Sequence, residues 1–150
     1  MRKFWQRIIA VAEVVGGTLA LIAILLAAKA GAGKSILLLG VGLDLFVIVA
    51  GVTLWLKPRV GRVLSGIAFG LQAVQLFSAW FTWQYVAGVA LMVQVVGGEM
   101  RWSGGLLVRH GFSLDRGGSG VGVNLMAVAV LTLLVMSQRR KESTGRRSSA

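Results

Sequence analysis

Few residues in this chain are equipped for chemistry, and those few are scattered through long apolar stretches. Asp44 is the sharpest of them. It sits near the middle of the run Ile36–Leu56, between Gly42-Leu43 and Leu45-Phe46. A carboxylate at the centre of a bilayer costs at least ~2.5–3.5 kcal/mol, so it must face other helices, find a partner or carry a proton. Counting about 1.5 Å per residue puts Asp44 about 17 Å from the inner end of its run and Gln75 about 18 Å from the inner end of the third. Gln72 lies one turn below. Asp44, Gln72 and Gln75 are therefore a candidate intramembrane polar cluster. One chemistry open to it is an interhelical hydrogen-bonded anchor with amides as partners. The other is a proton or cation site in a transporter or channel component. No second charge sits at that depth, which favours the anchor. Glu13 lies about 8 Å above the start of the first run, where Arg62 or Lys57 can reach it for an interfacial ion pair.

Two other constellations resemble sites and lack the context for them. Gly31-Ala32-Gly33-Lys34-Ser35, with Ala28 five positions before Gly33, fits a relaxed phosphate-loop pattern. That loop works between a strand and a helix of a soluble nucleotide fold. Here apolar runs of membrane length flank it, and no separate acid can hold a metal. A short interhelical turn is expected, and no nucleotide. His110, Ser113 and Asp115 have the residue types of a hydrolytic triad. On a strand, however, His110 points to the face opposite the other two. The chain has no cysteine and a single histidine. Disulfides and thiolate or His-rich metal sites are thereby excluded, and the expectation is no enzyme, no cofactor and no metal.

The elements that must position these residues are apolar runs separated by basic clusters. Hydrophobic residues make up 56% of the chain and charged ones 14%. Roughly 20 apolar residues match a hydrocarbon core of about 30 Å. The runs predict a mainly α, integral membrane protein: a four-transmembrane-helix bundle with spans near 8–28, 36–56, 63–82 and 120–137. The length of the first run and its Glu13 favour a retained span over a cleaved signal. The run Val63–Val96 is too long for one crossing. Trp80, Trp83 and Tyr85 mark its exit, and Gly97-Gly98 is a turn signal. Leu106–Asp115 alternates with period two. Residues 85–118 are therefore expected as a small extracytoplasmic β-hairpin or meander between the third and fourth helices. Residues 1–137 form one membrane domain in this reading, and 138–150 a disordered basic cytoplasmic tail.

The formal net charge of +11 does not imply nucleic acid, because the charges gather at the ends of apolar runs. With four spans, the richest basic segments fall on one side, which the positive-inside rule makes cytoplasmic. Both termini are expected inside, in a bacterial inner membrane. Small residues mark packing faces: Gly61, Ser65, Gly66 and Gly70 in the third run, and Ala12, Gly16 and Ala20 in the first. They suit packing within the chain, with a second copy or another membrane protein as the alternative. Asn124 reads as a helix-packing or helix-start residue. The resulting expectation is a non-enzymatic accessory, assembly or interaction subunit embedded in the lipid bilayer, and the alternative is a proton- or ion-coupled transport component centred on Asp44.

Overall fold

A computed structural model describes residues 2–29, 34–78, 80, 82–113 and 119–147. Three helices come first: α1 (Arg2–Lys29), α2 (Lys34–Leu56) and α3 (Pro58–Ala73). Strands β1 (Val74–Phe77), β2 (Thr82–Val96), β3 (Glu99–Ser113) and β4 (Gly120–Asn124) follow, and α4 (Leu125–Arg147) closes the chain. The break between α2 and α3 is a single residue, Lys57. Pro58 occupies the first turn of α3, where its missing N–H and fixed φ cost nothing.

The chain is not a four-helix membrane bundle. Among the described residues two helices are long and apolar enough to cross a membrane, Lys3–Lys29 and Leu37–Leu56. The third expected span, 63–82, breaks between Ala73 and Val74, where α3 gives way to β1. The 16 residues of α3 rise about 24 Å, short of a hydrocarbon core of about 30 Å. The fourth, 120–137, begins as β4. The apolar part of α4, Leu125–Met136, rises only about 18 Å. The strands are not a small outer insertion either. They form one antiparallel four-stranded sheet in the order β1-β4-β2-β3, and it draws β1 and β4 from both misread spans. The sheet also packs into the helices: Tyr85 and Ala87 of β2 share a core with Ala20, Val47, Ala50 and Ala68 from α1, α2 and α3. α4 takes in most of the basic segment after Ser137.

The register explains the sheet's shape. β1 is antiparallel to β4 and to the start of β2, at Leu76↔Trp83 and Phe77↔Thr82. β4 is also antiparallel to the end of β2, from Met92↔Asn124 to Val96↔Gly120. The two ends of β2 therefore run in opposed senses, and the strand must bend over between Trp83 and Met92. Gly88 lies in that interval at φ +110, and Gly105 on the paired strand stands at φ +129. L-residues with a side chain rarely adopt such angles, and glycine does so freely. β1, β2 and β4 thus each pair with the other two in a closed ring, and β3 is an outer strand. At the far end Gly97 and Gly98, both at positive φ, make the two-residue turn that hairpin twist favours.

Candidate interaction face and buried polar pairs

The bent sheet sorts its side chains in the reverse of a soluble protein's order. Successive residues of a strand point to opposite faces. On one face two cross-strand rows are entirely apolar: Val74–Val123–Val93–Trp102 and Leu76–Val121–Val95–Met100. Every member except the half-buried Val93 is exposed, Met100 and Trp102 at 62% each. Between those rows, on the opposite face, runs Gln75–Gly122–Gln94–Arg101. Gln75 and Gln94 are buried. Gln75 Oε1 accepts from Gln94 Nε2 at 2.5 Å and from Gln84 Nε2 at 3.3 Å, while Gln75 Nε2 donates to Met92 Sδ at 3.2 Å. A Cβ on Gly122 would stand 3.0 Å from Gln75 Oε1 and 3.0 Å from Gln94 Cγ. Glycine there lets the two amides meet across β4.

The sequence reading missed this inverted pattern. Its signal was present in four short triads, Val74-Gln75-Leu76, Val93-Gln94-Val95, Met100-Arg101-Trp102 and Val121-Gly122-Val123. Each places a polar or glycine residue between two apolar ones. At the open edge, β3 pairs only with β2 among the described residues. Glu99 and Arg101 form an exposed ion pair at 2.8 Å there. The hydrogen bond from Arg101 holds the Glu99 carboxyl below its ordinary range.

The candidate cluster Asp44, Gln72 and Gln75 is divided among three settings. Asp44 is fully buried and its Oδ1 accepts the Tyr85 hydroxyl at 3.2 Å. Gln72 Oε1 accepts the Ala87 N–H at 3.1 Å, tying α3 to β2. Gln75 belongs to the glutamine cluster of the sheet. Glu13 accepts the Ser65 hydroxyl on Oε2 at 2.7 Å, and its buried Oε1 has no hydrogen-bond partner among the described residues. No ion pair links Glu13 to Arg62 or Lys57 among the described residues. Glu13 and Gln72 are the polar lining of an otherwise apolar cavity of about 300 Å³ bounded by all four helices and β2.

The small residues also divide. Gly16 lies against the β2 backbone, where a Cβ would stand 2.8 Å from Ala87 O. Ala20 is fully buried, and Ala12 lines the apolar cavity. Gly61 abuts the backbone of Thr53 and Leu54, whereas a Cβ on Gly66 or Gly70 meets nothing within 4 Å. Asn124 Oδ1 accepts the N–H groups of Met126 and Ala127 at 3.2 and 3.4 Å, so it caps the start of α4. Gly31–Gly33 of the phosphate-loop pattern and Asp115 of the triad pattern lie outside the described residues. Among the described residues no three His, Cys, Asp or Glu side chains gather as a metal site. No protein-family model, curated protein or solved structure matches the chain.

Proposed function

We propose that this chain is a small membrane-integral accessory subunit that docks on a membrane protein partner through the apolar face and open edge of its sheet. The observation that carries the reading is the pairing of an apolar outward face with buried glutamines. A sheet in lipid has this arrangement, with polar residues inside and apolar ones outside. Several features support membrane depth. The two apolar helices bury only 39% and 33% of their most hydrophobic windows, unlike core helices of a soluble protein. Gly16 and Asp44 lie near the middles of those helices, and both touch β2.

The open edge then calls for a partner. Lipid can cover Met100, Trp102 and Leu106, but it cannot hydrogen-bond the free N–H and C=O groups of β3. Water can satisfy that edge but not the apolar rows beside it. A partner chain that adds a strand or packs along β3 covers both. Two spans return Lys57, Arg59 and Arg62 to the side of Arg2, Lys3 and Arg7, which the positive-inside rule places in the cytoplasm of a bacterial inner membrane.

A photoreactive amino acid at position 102, compared with one at the exposed Leu38 of α2, tests the reading in native membranes. Position 102 is expected to cross-link to one protein species, and position 38 to lipid. A Trp102→Lys substitution should abolish co-purification of that species while leaving the fold intact. Cross-links from position 102 to lipid alone overturn the proposal.

A further inference from the structure

We infer that the N-terminal end of α1, with the junction of α2 and α3, binds the phosphate-bearing headgroup of an anionic phospholipid. One acyl chain would lie in the groove between α1 and α2. A cavity of about 430 Å³ opens there, lined by Lys3, Gln6, Arg7, Trp55, Pro58 and Arg62 with Leu54. Three of these residues are cations, and none is an acid. Arg62 is only 9% exposed. Its Nε–H donates to Pro58 O at 2.9 Å, which fixes the guanidinium, and no carboxylate pairs with it among the described residues. The nearby acid of α1, Glu13, bonds to Ser65 instead. Arg7 lies over the Trp55 ring at 5.4 Å, so its charge is held beside the same opening. A planar guanidinium suits phosphate oxygens through paired hydrogen bonds.

The second half of the site begins where the first ends. Trp55 also borders a groove of about 290 Å³, continued by Val11, Val14, Val15, Gly51 and Val52. Arg7, Val11 and Val15 follow one another at four-residue spacing on one face of α1, as do Trp55 and Gly51 on the antiparallel α2. Charge therefore gives way to apolar surface along a single line parallel to the helices. A diacyl phosphate has this order of chemistry, with its anionic head at the membrane surface and its chain running inward. Free inorganic phosphate matches only the first half. The inference rests on α1 and α2 being membrane helices and not on a partner at β3. Lipid binding and cross-linking from position 102 can therefore fail separately.

The test is native mass spectrometry and thermal unfolding of the full chain in maltoside micelles. The additives are dioleoylphosphatidylglycerol, dioleoylphosphatidylcholine, dioleoylglycerol or inorganic phosphate. Phosphatidylglycerol is expected to remain bound and to raise Tm, with the neutral and zwitterionic lipids weaker. Arg7→Gln and Arg62→Gln should each weaken it by about fivefold or more, the factor carried by a basic residue worth about 1 kcal/mol at a membrane surface. Val52→Asp should weaken phosphatidylglycerol and leave inorganic phosphate unaffected. Equal binding of phosphatidylcholine overturns the proposal. So does protection by inorganic phosphate equal to that by the lipid with Val52→Asp silent, which would mark a free-phosphate site. If the buried Arg62 variant does not fold, the exposed pair Lys3→Gln/Arg7→Gln decides: unchanged phosphatidylglycerol affinity overturns the inference.

Discussion

The Tyr85 hydroxyl donates to the Asp44 carboxylate across 3.2 Å, and the two side chains are 2% and 0% exposed. The bond pins the first half of β2 to the middle of α2. Tyr85→Phe should cost about 1–3 kcal/mol for the donor lost to a buried acceptor, read as a fall in Tm on thermal unfolding in detergent. An unchanged Tm would show that this bond does not hold β2 on α2.

Gly122 separates two amides that must touch. A methyl group there stands 3.0 Å from Gln75 Oε1, and the hydrogen bond at 2.5 Å from Gln94 leaves no slack on that side. Gly122→Ala should lower stability by about 1–3 kcal/mol, the usual cost of overpacking. Gln75→Leu removes the acceptor shared by the half-buried Gln84 and the buried Gln94 and leaves the Gln94 donor unmet, at about 1–3 kcal/mol. Because both changes act through one cluster, their effects should not add in the double variant. Thermal unfolding of the three variants in detergent measures this directly.

The same cluster shows where the sequence was legible. The first two runs are legible because about twenty apolar residues in a row have one common explanation, a helix in lipid. Pro58 fixes the α2–α3 boundary, and Gly97-Gly98 fixes the β2–β3 turn. The change from helix to strand between Ala73 and Val74 carries no such mark. A strand with one lipid-like face and a membrane helix draw on the same Val, Leu and Phe, and hydropathy does not separate them. Gln72 and Gln75 therefore read as neighbours on one helical face. In the fold they fall on either side of the change, one bonded to the Ala87 backbone and the other to Gln94. The Asp44 partner was hidden for a related reason: Tyr85 resembled an interfacial aromatic, and only the bend of β2 brings it into the helix core.

Glycines that look alike in sequence should behave in opposite ways. Gly61 is pressed against the backbone of Thr53 and Leu54, while Gly66 and Gly70 face open space. Gly61→Ala should cost several kcal/mol, because backbone cannot yield as a flexible side chain can. Gly66→Ala and Gly70→Ala should each gain up to about 1 kcal/mol from helix propensity. Thermal unfolding gives the sign in each case. A loss of stability at 66 or 70, paired with a change in oligomer mass, would show that a second molecule packs there.

Gly88 and Gly16 form the contact on which the bend of β2 rests. Gly88 supplies φ +110, and its Cα lies 3.1 Å from where a Gly16 Cβ would stand. Gly88→Ala imposes strain of roughly 1–2 kcal/mol on the backbone conformation, whatever room the side chain has. Gly16→Leu drives a side chain into the Ala87–Gly88 backbone and should separate α1 from the sheet. That separation is readable without a stability measurement. The chain has no cysteine, so an Ala87→Cys reporter, at a position buried in one core with Ala20 of α1, reads it directly: Gly16→Leu should raise its thiol labelling in a protein that retains its helices by circular dichroism. Labelling that stays low in that variant would place the hold on β2 in the Gln72–Ala87 and Asp44–Tyr85 bonds alone, and not in the Gly16 contact.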